Sequence, residues 1–232
     1  MDLIRRGIAE AVSLLLQGDP EVLKIALLSI ELSGLATLVA LAFGVPLGAF
    51  LAFKVFPGRG FTVSLVNTGM GLPPVVVGLF VCIVLWRSGP LGFWELLYTP
   101  GAIVLAQFII AFPVITGLTM AALQQIDSKL LLQLKSLGAS RAQLFAVLLW
   151  EARLPMMAAV IAGFGAVISE VGAVMMVGGN ISGHTRVLTT ATVLETRKGN
   201  FDVAIALSLI LIALTFIITW LLTLFQQRSA AR

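Results

Sequence analysis

Four or five stretches of this chain stay apolar for the roughly 20 residues that a helix needs to cross the hydrocarbon core of a bilayer. No soluble fold of 232 residues could bury so much apolar surface, with 59% of residues hydrophobic, 11% charged and a mean hydropathy of +1.06. The sequence therefore specifies an all-α integral membrane protein, built as one bundle with little mass outside the bilayer. A second folded domain has no room.

Read along its length, the chain opens with Arg5-Arg6 ahead of an apolar run from Ile8 to Leu16. Glu10 interrupts that run and no small-residue cleavage pattern follows, so a cleaved signal is not expected. Residues 1–20 instead predict an amphipathic helix lying at the membrane surface and ended by Gly18-Asp19-Pro20. A single transmembrane domain over 21–232 follows, with spans at about 23–53, 61–86, 102–123, 154–177 and 201–225. The first carries Gly44, Pro46 and Gly48, and the third carries Pro113, so both are expected to kink. Gly69, Gly71, Pro73, Pro74 and Gly78 crowd the second, and backbone broken at that depth must be buried in protein or line a cavity. Gly163, Gly165 and Gly172 in the fourth favour close helix packing. The fifth is uniformly apolar, as suits a helix facing lipid.

Between the third and fourth spans lies a polar interruption of about thirty residues, Gln124 to Arg153, with helical periodicity and a basic bias. A protein that only anchors itself would use a short turn there, so this segment predicts a docking element for a soluble partner. Charge does not orient the chain. Five spans put Lys54, Arg59, Lys129, Lys135, Arg141, Arg153, Arg228 and Arg232 on one side, against Arg5, Arg6, Lys24, Arg87, Arg186, Arg197 and Lys198 on the other. The net charge of +4 matches ordinary loop enrichment and is no nucleic-acid signal.

Catalytic patterns are sparse. Cys82 is the only cysteine and His184 the only histidine, so neither an intrachain disulfide nor a histidine metal cluster is expected. A hydrolase built on His184 and Ser182 would lack an orienting acid and a glycine-flanked nucleophile elbow. The chain also lacks a Gly-x4-Gly-Lys-Ser/Thr loop, so any ATP chemistry belongs to another subunit. A secondary transporter or channel remains as the second class, although only Glu170 places an ionisable group clearly inside a span.

The interruption contains Leu134-Lys135-Ser136-Leu137-Gly138-Ala139-Ser140-Arg141-Ala142-Gln143-Leu144-Phe145, which resembles the cytoplasmic coupling motif of permease subunits of ATP-binding-cassette importers. Where that motif carries an acidic-Ala-Ala triplet this chain has Leu132-Gln133-Leu134. Its closing Leu-Pro gives way to Trp150-Glu151, with Leu154-Pro155 four residues late. Three further segments resemble the oxyanion group of those permeases. They are Leu72-Pro73-Pro74-Val75-Val76-Val77-Gly78, then Phe112-Pro113-Val114 through Gln124-Gln125-Ile126-Asp127, and Glu170-Val171-Gly172-Ala173 followed by Gly179-Asn180-Ile181-Ser182-Gly183-His184-Thr185-Arg186. The segments 148–153, 175–179 and 194–201 look most like the tungstate type.

The resemblance implies a type I importer permease core that moves a tetrahedral oxyanion by alternating access, tungstate first and molybdate or sulfate as alternatives. It also implies a second copy of this chain, a pair of cytoplasmic ATPase subunits that bind ATP and Mg, and an extracytoplasmic binding protein that selects the anion. No cofactor belongs to this chain itself. The site would be the cytoplasmic membrane of a prokaryote, with the N-terminus outside and the C-terminus in the cytoplasm. ATPase coupling would fall to Lys135, Ser136, Leu137, Gly138, Ala139, Ser140, Arg141, Leu144 and Phe145, and the gate or pore to Glu170, Gly172, Met175, Met176, Gly179, Asn180, Thr185 and Arg186.

Residue chemistry adds detail to both sets. Gly138 permits a turn between two short helices and a close backbone approach, or is an ordinary turn glycine. Leu137, Leu144 and Phe145 would be the apolar knobs of the docked face, with Lys135 and Arg141 as its polar rim. Glu170 would repel a passing anion, so it is expected to accept hydrogen bonds from a neighbouring helix, or to be protonated, and so fix the gate helix. In the following loop the glycine N–H groups, the hydroxyls of Thr185, Thr189, Thr190 and Thr192, and Arg186 could contact the anion, or could shape a surface for the binding protein. Both readings stand.

Overall fold

The computed structural model describes residues 2–230, which form helices and turns with no strand among them. In chain order the helices are α1 (Asp2–Gln17), α2 (Pro20–Phe53), α3 (Arg59–Met70), α4 (Pro74–Leu85), α5 (Pro100–Gln124), α6 (Ser128–Ser136), α7 (Arg141–Glu151), α8 (Arg153–Ile168), α9 (Gly172–Gly178), α10 (Leu188–Lys198) and α11 (Phe201–Ala230). A 3-10 turn, Gly92–Trp94, sits in the link between α4 and α5.

Local chemistry sets the joints. α1 ends at Gly18, at φ +62, and Asp19 then caps α2 by accepting from Glu21 N at 2.9 Å and Val22 N at 3.0 Å. Pro20 follows at the first helical position, where its missing N–H costs nothing. Thr99 and Pro100 repeat the arrangement at the start of α5. α1 is amphipathic as predicted, and it rests on α11, with Gly7 buried against the Ile205 side chain. Its outward face carries Ile4, Ile8 and Val12.

α2 and α5 form the central seam, and small residues bring them close. Ala36, Ala40, Gly44 and Gly48 recur every fourth residue along one face of α2. A Cβ on Gly48 would stand 2.7 Å from the Thr116 carbonyl oxygen, so the backbones approach as only glycine allows. Both helices run on unbroken through Pro46 and Pro113.

Two of the expected spans are broken. The second consists of α3 and α4, set at 103° to each other. The break falls at Gly71-Leu72-Pro73, because Pro73 and Pro74 supply no N–H and push the residue before each out of helical geometry. α3 packs against the second half of α5, with Gly69 on Pro113 and Gly117 on Met70, whereas Val77, Val81 and Leu85 of α4 pack on Ala102, Ile103 and Ala106 in its first half. The fourth span likewise divides into α8 and α9 around 169–171, and Ala152 separates α7 from α8 at an angle of 71°. Among the described residues, three helices are long and apolar enough to cross a membrane alone, and up to five crossings result when each of the bent pairs α3–α4 and α7–α8 counts as one. The loop expected over 178–200 contains α10.

Candidate functional site

The polar interruption folds into the hairpin of α6 and α7. Asp127 caps α6 by accepting from Lys129 N at 2.9 Å. At the other end Ala139 N donates to Leu134 O and Gly138 N to Lys135 O, each at 3.0 Å, around Gly138 at φ +76. That pair of bonds is a Schellman motif, and the left-handed position at its centre is why glycine stands there. Ser140 then starts α7 through a reciprocal capping box with Gln143. No atom lies within 4 Å of the place a Gly138 Cβ would take, so the close backbone approach expected there does not come from this chain.

The hairpin is fastened on one side and open on the other. Leu148 and Ala152 are buried with Ala49, Ala122 and Leu123, and Leu131 and Leu144 pack against that cluster. Leu144 is half-buried and packs α7 on the bundle. Leu137 is 83% exposed and Phe145 is exposed as well, together with Leu132 and Trp150. Lys135 is exposed beside them, and Ser136 donates to Leu132 O at 2.9 Å. Ala139 is half-buried. The side chain of Arg141 lies outside the described part of the molecule. Arg153 donates to Trp150 O at 2.8 Å and stacks its guanidinium 4.7 Å from the Trp150 ring centroid.

The gate residues gather around the second break. Glu170 is buried and its carboxylate accepts from Ala173 N, the second residue of its own downstream helix α9, at 2.9 Å. The expected partner on a neighbouring helix is thus replaced by a local one. Its main-chain oxygen accepts from the Thr189 hydroxyl at 2.9 Å, which ties α10 to the break. Gly172 abuts Val75, and a Cβ on Gly78 would stand 2.5 Å from the Ala173 Cα, so α4 and α9 are pressed together where both begin. Met175 and Met176 are half-buried on α9.

Beyond α9 the chain turns through two consecutive left-handed residues, Gly179 at φ +69 and Asn180 at φ +53. A Gly179 Cβ would meet the Tyr98 ring at 2.8 Å, and Tyr98 N donates to Val177 O, so the link before α5 braces the end of α9. The Thr185 hydroxyl donates to Gly178 O and accepts from Ile181 N. Thr190 donates to Val187 O and Thr192 to Leu188 O. The hydroxyls expected to offer themselves to an anion are therefore donated to main-chain carbonyls.

Arg186 does not stand as an isolated cation. Its Nη1 pairs with Glu21 Oε1 at 3.2 Å, and Ser182 donates to the same oxygen rather than to His184. A cavity of about 610 Å³ opens there, lined by Asp19, Glu21 and Glu31 as well as by Lys24 and Arg186. Nearby, Lys198 and Asn200 donate to the Glu195 carboxylate and hold its pKa below the ordinary glutamate value. Among the described residues no three His, Cys, Asp or Glu side chains come together as a metal site.

One group that the sequence reading passed over is Gln107. It is 3% exposed on α5 and bonds to Ser33 of α2 and to the Val167 carbonyl of α8. A lone amide inside an apolar span was its visible signal.

This arrangement of bent spans around a parallel helix pair, with an off-axis helical hairpin at one end, is the fold of the membrane subunits of ATP-binding-cassette importers. The MetNI methionine transporter in inward-facing conformations aligns with a TM-score of 0.75 over 90% of this chain and 96% of the compared one, at 16% identity. An amino acid ABC transporter aligns with a TM-score of 0.68 at 18% identity, over 92% of this chain and 96% of the compared one. Sequence comparison carries the assignment further. Residues 44–230 match the family described as binding-protein-dependent transport system inner membrane component, and the chain belongs to that family. Its relatives include the tungstate uptake system permease protein TupB of Peptoclostridium acidaminophilum, 39% identical over 98% of this chain and all of TupB. A probable anion ABC transporter permease of Haloferax volcanii is 40% identical over 90% of this chain and 92% of that protein. The molybdenum transport system permease ModB of Escherichia coli K12 is 31% identical over 91% of this chain and 97% of ModB.

Proposed function

We propose that this chain is the membrane-spanning subunit of an importer that carries tungstate across the cytoplasmic membrane, driven by ATP hydrolysis in a separate subunit. The carrying observation is the likeness to the tungstate permease over 98% of this chain and all of TupB. In this reading two copies of the chain enclose the passage, a cytoplasmic ATPase pair docks on the exposed side of α6–α7 around Gly138, and an extracytoplasmic binding protein delivers the anion.

The geometry supports a passage along the face where the helix breaks meet. Gly71, Leu72, Pro73 and Ser169 are exposed in the single chain, although they interrupt helices at membrane depth. Open backbone polar groups cannot face lipid, so protein or an aqueous passage covers that side. The buried Glu170 carboxylate is occupied by the α9 N–H group, which keeps it from standing free in the path of a dianion.

Reconstitution tests the reading. The permease, its cognate ATPase and its binding protein are incorporated into liposomes, and luminal tungsten is measured by mass spectrometry. Accumulation is expected to need both ATP and the binding protein, and to persist in excess sulfate. Preferential uptake of molybdate assigns the chain to the molybdate reading favoured by the ModB likeness, and uptake without ATP overturns the importer reading altogether.

A further inference from the structure

The α8–α9 break removes a hydrogen bond that something else must replace. In an unbroken helix the Val167 carbonyl would accept from the N–H of residue 171, four positions on. Here it accepts from Glu170 N at 3.2 Å and from Gln107 Nε2, a side chain of α5, at 2.9 Å. The same amide nitrogen reaches Ser33 Oγ on α2 at 3.2 Å. One buried side chain thus joins α2, α5 and the last turn of α8 immediately before the chain breaks.

Gln107 does this at a cost that a space-filling residue would not carry. Its Oε1 is buried with no partner, and a leucine of similar volume would fill the seam without stranding an oxygen. The two amide hydrogens must therefore repay the loss. They do so at a carbonyl whose main-chain donor is Glu170 N at 3.2 Å instead of residue 171. Were α8 and α9 to merge into one helix, residue 171 would supply the helical donor, and the amide bond would add less to that carbonyl. On the far side of the break, Thr189 and Ala173 hold Glu170 in the same sense.

We propose that Gln107 is a positioning residue of the transport cycle, which stabilises the broken form of α8–α9 by supplying the donor that the break removes and thereby sets the resting place of the gate helix α9. The proposal rests on the permease reading above. Ser33 is its anchor on α2, and α5 is the arm through which the seam holds the hinge.

The test uses the complex with ATPase and binding protein in liposomes, in a Cys82→Ser background carrying Ser169→Cys as a reporter at the exposed rim of the break. Gln107→Leu is expected to lower maleimide labelling of that reporter by about fivefold, as the population leaves the broken form in which residue 169 is exposed, the change that follows from losing one net hydrogen bond. It is also expected to lower the ratio of ATPase rates with and without tungstate-loaded binding protein. Ser33→Ala, which spares the bond to Val167, should change both in the same direction by less. A merely structural role would reduce yield or Tm while the surviving complex labels and couples like its parent, and that result overturns the proposal. If Gln107→Leu does not assemble, Ser33→Ala decides alone, and parental labelling and coupling there overturn the proposal equally. A parent complex that ignores tungstate-loaded binding protein, yet still shows the labelling shift, overturns the tungstate reading and leaves the hinge assignment supported.

Discussion

Gly138 separates two requirements that a glycine can serve. Its φ of +76 places it in the left-handed region, where a side chain costs about 1 kcal/mol, whereas the open space around its would-be Cβ sets no limit on size within this chain. Gly138→Ala and Gly138→Phe are therefore expected to lower the stability of the isolated permease by a similar ~1 kcal/mol, from the backbone alone. Their effects on the assembled complex should diverge, with Gly138→Phe releasing the ATPase and Gly138→Ala retaining it. Thermal unfolding in detergent reads the first effect and co-purification of the ATPase the second. Equal retention of the ATPase by both variants would mean that Gly138 serves its turn and nothing else. The same contrast explains what residue identity alone concealed: Leu144 and Leu137 are the same residue type seven positions apart, and only the packing of Leu144 on the cluster of Leu148, Ala152 and Leu123 shows which one is left exposed.

Helix pairing is where small residues become decisive. Gly78 sits opposite the Ala173 backbone, so a larger side chain must push α4 away from α9 rather than rotate aside. Gly78→Val is expected to cost about 1–3 kcal/mol or more through overpacking. Gly34→Val provides the control, because a Cβ there meets nothing within 4 Å, and detergent unfolding should show a much smaller loss. Similar losses in both would place the α4–α9 contact outside the stabilising core. Element existence was legible in the sequence because apolar length and cap residues such as Asp19-Pro20 and Thr99-Pro100 act locally. The breaks were legible only as glycine and proline density. Pro73-Pro74 marks a discontinuity, but its 103° angle comes from α3 and α4 packing on different halves of α5. The α8–α9 break has no proline at all. It is held by Gln107, Thr189 and the Glu170 carboxylate, which converge from sequence positions far apart, so no local pattern announces it.

Over the whole molecule the contacts give the relative directions of the long helices, which charge left open. Ser33 lies opposite Gln107 and Gly48 opposite Thr119, so α2 and α5 run in the same direction. α8 runs against them, from Ala152 beside Leu123 to Val167 beside Gln107. Gln226 near the end of α11 donates to Leu154 O at the start of α8, so α11 runs with α2 and α5. Three long helices pointing one way require a return between each, for which the bent pairs α3–α4 and α7–α8 are long and apolar enough. The links 54–58 and 125–140 thus lie at one end of the bundle, and 86–99 and 179–200 at the other. The proposed docking of a cytoplasmic ATPase on α6–α7 then fixes the absolute sense. In a Cys82→Ser background, a membrane-impermeant maleimide added to intact spheroplasts should label Ile181→Cys at once and Val55→Cys only after permeabilisation. Val55 is 96% exposed in the single chain, so its protection in intact cells would reflect the bilayer rather than burial in its own fold. The reverse pattern would put the α6–α7 hairpin outside the cell, out of reach of any ATPase, while leaving the five-crossing topology intact.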